Sequence, residues 1–458
     1  MKTKRIFFDK ELFSVKSSVG DITLFSLMLP ILFEYIMNSL QGTVNTAILS
    51  GYSENAAAAV GAANTVINVI LLFGTVIAIG STIVISNNIG AENMTKAKEV
   101  SFAAIAVSLF FAAIITPIML FASKTILIRI NLTGEILENA LIYFRIRVLF
   151  FAVQSAISVL LALLKCYGYP KYTFIIGLLT NAVNLILNIY VIYFPRLSPI
   201  GGVYGVAAAC CAANVIGLLA AVFTVKKTEI QAKPPNSPKA LLTDACAILK
   251  LGIPSGLSSV SFTVSQMITT SFVALMGDYV LSAKIYYTNI LSYVYLFSLS
   301  AGNANALLIG RRYGAGEFEK ADKMNFLLCR LTGAVNLIIS LSVLLLRRRL
   351  LGIFTDNGMI ITLSLGIFVV DIITEQARAV SHVYEYALRA VGDVFFSMVV
   401  LIISCWVFSI GLAYVLAVKC GLGLIGCWIG LAIDETIRAA VTYFRWKRGG
   451  WKLTHIKQ

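Results

Sequence analysis

One stretch of the chain places five ionisable side chains on a single helical face. Asp371, Glu375, Arg378, His382 and Glu385 follow one another at spacings of 4, 3, 4 and 3 residues, which is the repeat of an α-helical stripe. The carboxylates of Asp371 and Glu375 could exchange a proton or ligate a cation, while Arg378 and His382 could contact a substrate. The alternative is a ladder of ion pairs between successive turns, and both interpretations stay open.

Two further stretches carry stripes that are rich in amides. Their members are spaced at 3 or 4 residues: Glu34, Asn38, Gln41 and Asn45 in one, and Asn181, Asn184 and Asn188 in the other. An amide offers a carbonyl oxygen to a ligand but cannot titrate. We expect Asn38, Gln41 and Asn181 to face a substrate cavity, together with Gln266 from a looser polar set that includes Ser258, Ser265 and Thr269.

These stripes lie in a chain that is too apolar for a water-soluble fold. Of its 458 residues, 59% are hydrophobic and 13% charged, and the mean hydropathy is +0.87. The apolar residues form blocks of the length that crosses a bilayer as a helix, roughly 20 residues. The sequence predicts an all-α polytopic membrane protein whose spans cover roughly 22–48, 56–86, 99–122, 136–164, 172–194, 201–225, 252–276, 285–309, 324–346, 358–388, 394–418 and 421–444.

The excess of basic residues predicts the orientation of the chain. The formal net charge is +15. About 24 Lys and Arg fall on the side of the two termini and about eight on the opposite side, which places both termini in the cytoplasm of a cell-membrane protein. Arg347, Arg348 and Arg349 fall on the outer side and are the exception. We expect the basic excess to meet anionic lipid headgroups rather than nucleic acid.

The chain contains an internal duplication with an offset of 224 residues. The offset relates the phrase IGAENMTKA at 89–97 to YGAGEFEKA at 313–321, and Pro30 to Pro254. Each half then holds six spans, so the two bundles should be related by a pseudo-twofold axis along the membrane normal. The predicted domains are 1–225 and 246–458, joined by a cytoplasmic linker at 226–245. In the repeated phrase, Gly90 and Gly314 are expected to supply a left-handed turn after a helix.

The ordered motifs resemble the multidrug and toxic compound extrusion (MATE) family, within the multidrug/oligosaccharidyl-lipid/polysaccharide exporter superfamily. They are the proline of the first span, VNTAILSGYS at 44–53, the two GA-x-x-x-x-KA loops, and ALLKCYGYP and YALRAVGD after the fourth and tenth spans. The resemblance covers essentially the whole chain. It implies a V-shaped pair of six-helix bundles that exports amphipathic, often cationic, small molecules in exchange for Na⁺ or H⁺. A single chain would form the cavity.

The resemblance also identifies two missing acids. The family usually has Asp in the first span at the position of Asn45, and an N-x-x-x-D phrase where this chain has Asn184 and Asn188. These three amides remain ion-coupling candidates through their carbonyl oxygens. Glu34, the one acid in the membrane core of this half, is a further candidate, or else a polar packing group. Asp371 and Glu375 are the candidates in the other half.

Other functional classes are less well supported by the sequence. The chain has no phosphate-binding G-x-x-x-x-G-K-[ST] loop and no pattern of nucleophile and base, which argues against an ATPase or an enzyme. Its eight Cys have no pairing rhythm and it has two His, so we predict no metal site and no cofactor beyond the coupling ion. A flippase for a lipid-linked substrate, or a non-transporting receptor or scaffold, remains an alternative.

Overall fold

The computed structural model describes residues 12–15, 22–194, 201–228 and 230–454, and these are overwhelmingly helical. A short antiparallel ladder pairs Ser14–Val15 (β1) with Ile22–Thr23 (β2). The helices before the predicted linker are α1 (Leu24–Tyr52), α2 (Glu54–Gly90), α3 (Met94–Arg129), α4 (Gly134–Leu149), α5 (Phe151–Tyr167), α6 (Pro170–Tyr193) and α7 (Gly202–Lys227).

Eight further helices follow, and the first of them starts inside the segment 226–245 that was predicted as a linker. They are α8 (Pro238–Ala274), α9 (Asp278–Gly314), α10 (Phe318–Gly352), α11 (Gly358–Leu365), α12 (Ile367–Ala390), α13 (Val394–Ser404), α14 (Gly423–Lys447) and α15 (Gly450–Thr454). Two π-helical segments, Cys405–Leu412 and Val415–Lys419, continue α13.

Each predicted span lies on one of these helices or on a pair of them. Within the described residues, eight helices are long and apolar enough to cross a bilayer, and up to ten if the bent pairs α4–α5 and α11–α12 each form one span. The remaining predicted spans, 285–309 and 421–444, fall on α9 and α14, which carry more polar and charged residues. Both helices contribute side chains to one of the sites described below.

Large apolar side chains on the outside of the helices agree with a membrane setting. Phe121 is 90% exposed, Leu275 89% and Leu345 80%. A soluble protein rarely leaves so many large apolar groups uncovered, whereas hydrocarbon chains of lipid would cover them.

The chain divides into two compact units, and each has its own apolar core. One comprises Phe33–Ile89 and Asn93–Gly256, and the other comprises the described residues up to Leu32, Gly90–Glu92 and those from Leu257 onward. The boundaries inside α1 and α8 are separated by the same 224 residues as the duplication, and each lies close to a proline, which removes a helix hydrogen bond. The domain limits drawn from the sequence stay a prediction.

The segment after α7 is attached to the start of α3. The Lys233 amide donates to the Lys98 carbonyl at 3.2 Å, and Lys98 Nζ donates to Gln231 Oε1 at 3.2 Å. Lys96 Nζ lies 2.7 Å from a carboxylate oxygen of the buried Asp244. The polar segment predicted as a linker is therefore held by main-chain and side-chain contacts within one unit.

The repeated glycines serve a different purpose from the one predicted. The left-handed residues of the two loops are Glu92, with φ 58°, and Gly316, with φ 72°, while Gly90 and Gly314 end their helices. The prediction was wrong by two residues because the helix continues through the first glycine. A Cβ on Gly90 would overlap the Arg311 carbonyl oxygen, so Gly90 permits a close approach of two backbones.

Gly80 allows a second close crossing, between α2 and the first part of α8. A Cβ on Gly80 would overlap the Ile248 carbonyl oxygen, and one on Gly252 would overlap the Val76 carbonyl oxygen. Small residues at such a point let helices in a membrane protein approach closely enough to pack.

We predict that Gly80→Ala lowers the melting temperature in detergent, because the helices must separate at a cost of about 1–3 kcal/mol. Gly61→Ala in the same helix is the control, since a Cβ there meets no atom within 4 Å. Thermal unfolding followed by intrinsic fluorescence measures both. Equal melting temperatures for Gly80→Ala and Gly61→Ala would contradict the crossing.

Candidate functional site

The amide stripes of α1 and α6 meet in a hydrogen-bonded network within one unit. Gln41 Nε2 donates to Asn184 Oδ1 at 2.8 Å, and Asn45 Nδ2 donates to the same oxygen at 3.0 Å. Asn188 Nδ2 lies 3.2 Å from both Asn184 Oδ1 and Asn45 Oδ1. A neighbouring pair joins Asn181 Nδ2 to Asn38 Oδ1 at 3.1 Å. The sequence stripes therefore converge.

The α6 side of the amide network is buried, and among the described residues the network contains no carboxylic acid. Asn184 and Asn188 are each 2% exposed. The oxygen of Asn184 already accepts three N–H donors, whereas Asn188 Oδ1 is buried with no hydrogen-bond partner among the described residues. One free carbonyl oxygen can receive a donor or contribute to a cation site, but the amides of this network cannot exchange a proton at neutral pH.

Glu34 lies apart from the amide network. Its carboxylate pairs with Lys165 at the end of α5, with Lys165 Nζ 2.9 Å from Oε2. Eleven residues of helix separate Glu34 from Asn45, which is about 16 Å at 1.5 Å per residue. The structure therefore does not bring the predicted acid to the predicted amides, and Glu34 has a cationic partner of its own.

In the other unit, the ionisable stripe of α12 packs against an acidic and basic stripe of α14. Arg378 Nη1 lies 2.5 Å from Glu375 Oε1, and Arg378 Nε lies 3.2 Å from Glu435 Oε1. Arg438 Nη2 lies 2.5 Å from Glu435, and Arg438 Nε lies 3.3 Å from Asp434. Two guanidinium groups thus share three carboxylates in the interior of the unit.

Two of these carboxylates also accept a hydrogen bond from a serine hydroxyl group. Ser381 Oγ donates to Glu435 Oε2 at 3.0 Å, and Ser404 Oγ donates to Asp434 Oδ1 at 2.5 Å. Glu375, Asp434 and Glu435 are each 1% exposed or less. Buried charges persist at such depth when they are paired and hydrogen-bonded.

Asp371 is the buried acid that lacks an ion pair in this cluster. It is 2% exposed, and its Oδ1 has no hydrogen-bond partner among the described residues. Tyr287 and Trp428 lie beside it, and the Tyr287 hydroxyl and the Trp428 indole nitrogen can donate to its carboxylate. Asp371 can therefore gain or lose a proton without breaking a salt bridge.

His382 and Glu385 extend the stripe towards the end of α12. Neither ring nitrogen of His382 has a hydrogen-bond partner among the described residues, and its ring centroid lies 5.4 Å from that of Tyr295. The Arg378 guanidinium also stacks on Tyr295, at 5.2 Å. Glu385 pairs with Arg389. The ladder interpretation thus describes Glu375–Arg378 and Glu385–Arg389, whereas His382 packs against an aromatic ring.

A cavity of about 190 Å³ opens beside this cluster, within the same unit. Its wall includes Gln266 and Thr269 from α8, Tyr295 from α9, Arg378 from α12 and Trp428 from α14. Gln266 and Arg378, both predicted to face a cavity, do so. The buried residues Ser258 and Ser265 are not among the lining residues.

Sequence reasoning missed four charged residues of this unit. Asp434, Glu435 and Arg438 lie in the predicted span 421–444, for which the sequence analysis names no functional residue, although three charges within one turn and a half indicate a polar face. Lys284 sits one residue before the predicted start of a span, where a lysine is expected to reach the membrane surface. In the structure it is 7% exposed and lines the cavity.

Comparisons with known proteins agree on the family. A model of the family MatE matches residues 30–190 and 254–415. The chain is 33% identical over 435 residues, 94% of each protein, to "Uncharacterized transporter YisQ" from Bacillus subtilis. It is 25% identical over 434 residues, 94% of this chain and 92% of the other, to "Probable multidrug resistance protein NorM" from Thermotoga maritima. A structure described as the outward-facing conformation of a multidrug resistance MATE family transporter of the MOP superfamily matches at a TM-score of 0.86 and 22% identity, covering 95% of this chain and 96% of the other.

We predict that Arg438→Met destabilises the protein by roughly 3–5 kcal/mol, because it leaves buried carboxylates without their cation. Arg348→Met, at an exposed position of α10, should have little effect. Adding Asp434→Asn to Arg438→Met should restore part of the loss, since one uncompensated charge is removed. Thermal melting in detergent measures the series, and equal melting of Arg438→Met and Arg348→Met would refute the shared-carboxylate arrangement.

Proposed function

The chain belongs to the MatE family of membrane transporters, and on this premise we propose that it exports amphipathic small molecules in exchange for a cation. The relative named NorM is a probable multidrug resistance protein, which supports drug-like compounds as the substrate class. In this proposal one chain suffices, both termini are cytoplasmic, and substrate and cation bind alternately to opposite-facing states of the same protein.

The observation that carries the proposal is the contrast between the two polar sites. Among the described residues, the network of α1 and α6 contains no carboxylic acid, while Asp371 on α12 is a buried carboxylic acid without a salt bridge. We therefore assign cation exchange to the unit that contains α12 and α14. Glu375 is held by Arg378 at 2.5 Å, so it orients that arginine rather than exchanging freely.

The surroundings of Asp371 favour H⁺ over Na⁺ as the exchanged cation. A Na⁺ site needs several oxygen ligands around the ion. Beside Asp371 lie the Tyr287 hydroxyl and the Trp428 indole nitrogen, which is a donor only, and the neighbouring Glu375 carboxylate is already paired with Arg378. A carboxyl group in this position can instead cycle between a protonated form and an ionised form as the site opens to either side.

We predict that Asp371→Asn abolishes transport driven by a pH gradient, because the exchangeable proton is lost. Liposomes that contain the purified protein are loaded with ethidium or with naphthalene-1-sulfonate. Efflux of the probe is measured after a pH jump and after a Na⁺ jump. Exchange of labelled for unlabelled substrate without a gradient should persist in Asp371→Asn, since the substrate cavity is intact.

Asp278→Asn, at the exposed start of α9, is the matched control and should transport like wild type. Glu34→Gln should retain coupling, because Glu34 lies outside both polar sites. Normal proton-driven transport in Asp371→Asn, or its loss in Glu34→Gln with folding intact, would overturn the assignment. No gradient-dependent movement of either probe by the wild type would overturn the proposed antiport itself.

A further inference from the structure

Lys284 on α9 is a buried cation without a carboxylate partner. It is 7% exposed, its Nζ donates to the Thr270 hydroxyl at 2.6 Å, and no described carboxylate oxygen lies within ion-pair distance. Its titratable neighbour is the thiol of Cys427. Arg378, Arg389 and Arg438, the other cations considered above, each pair with at least one Glu or Asp. An unpaired buried ammonium is costly unless a counter-ion arrives.

The cavity beside Lys284 has a positively charged wall. Among the described residues that line the cavity, two are positively charged, Lys284 and Arg378, and none is Asp or Glu. The charge of Arg378 is already balanced by Glu375 and Glu435 behind it. The charge of Lys284 is therefore the unbalanced one that a ligand in this cavity meets.

Apart from these two cations, the wall combines aromatic and apolar side chains with neutral polar ones: Gln266, Thr269, Thr288, Ser292 and Ser409. Trp428 and Tyr295 contribute ring surfaces, and Phe262 and Leu291 contribute apolar ones. Pockets for drug-sized ligands usually measure about 300–1,000 Å³, and this cavity measures about 190 Å³. It therefore suits one end of a ligand, a ring that bears a small charged group, rather than a whole drug molecule.

We propose that this cavity binds the anionic end of an amphipathic substrate, with Lys284 as its counter-ion and the rings of Trp428 and Tyr295 against its apolar body. The substrate class is an aromatic or apolar compound with a carboxylate, sulfonate or phosphate group, in place of the cationic compounds that family resemblance implies. The assignment rests on the proposed export function, because it takes the cavity as the substrate's. A cationic group in the same position would lie against Lys284 and be repelled.

Three probes that share one ring system separate the effect of the ligand's charge from that of its ring. Naphthalene-1-sulfonate is anionic, naphthalene-1-sulfonamide is uncharged, and 1-naphthylmethylammonium is cationic. Equilibrium binding to purified full-length protein in nanodiscs is measured by quenching of tryptophan fluorescence, since Trp428 lines the cavity, and by the shift of melting temperature. We expect the sulfonate to bind best and the ammonium worst.

Lys284→Gln should weaken sulfonate binding about tenfold or more, as expected for loss of a charge-assisted hydrogen bond, and leave sulfonamide binding nearly unchanged. Lys284→Arg should retain most of the affinity, and Lys284→Glu should reverse the preference towards the ammonium probe. Lys250→Gln, at an exposed position of α8, is the control for a loss of surface charge. If Lys284→Gln does not fold, Lys284→Met removes the ammonium with an apolar side chain of similar length.

Equal affinity of the wild type for the sulfonate and ammonium probes would overturn the proposal. So would sulfonate affinity that is the same in Lys284→Gln, Lys284→Arg and wild type. Because binding is measured without a gradient, it separates the two proposals. Sulfonate binding without gradient-driven transport would count against export, whereas proton-driven ethidium transport without selective sulfonate binding would count against the anion site alone.

Discussion

Two arginines that share three carboxylates hold α12 and α14 together, and the chemistry of this unit depends on that arrangement. A single unpaired charge at this depth would be strongly unfavourable. With Arg378 between Glu375 and Glu435, and Arg438 between Glu435 and Asp434, both helices can carry many charged residues through an apolar setting. The paired groups are held in place, whereas Asp371 and Lys284 have no ion pair among the described residues, and the two proposals made above rest on these two groups.

The two polar sites stabilise polar groups inside the protein in different ways. In the network of α1 and α6, amides satisfy one another, and every group remains neutral. Such a network can orient the helices and can offer Asn188 Oδ1 to a ligand, but it stores no charge. In the unit of α12 and α14, charged groups are kept and paired with one another. In the two proposals made above, proton exchange and binding of the ligand's charge both fall to the unit of α12 and α14.

Hydropathy and the 224-residue offset predicted the helical membrane fold, which the family match and the solved MATE structure confirm. The spacing of 3 and 4 placed the amides of each stripe on one helical face, but it did not indicate that the stripes of α1 and α6 would meet each other. The pairing of Glu34 with Lys165 could not be predicted, since 131 residues separate them. Lys284 was missed because a lysine next to a span normally reaches the surface, and only packing reveals that this one turns inward.

The most direct test of the account is infrared difference spectroscopy of the protein during a pH titration, read at the carbonyl stretch of protonated carboxylic acids. The double difference between wild type and Asp371→Asn cancels the bands of the other carboxyl groups, and we expect it to contain one band that titrates with pH, whereas the double difference between wild type and Asn188→Ala should contain none. Adding naphthalene-1-sulfonate should alter the Asp371 band if ligand and proton share the unit. A double difference between wild type and Asp371→Asn without a titrating band would contradict the central claim, because the exchangeable proton would then reside on another group.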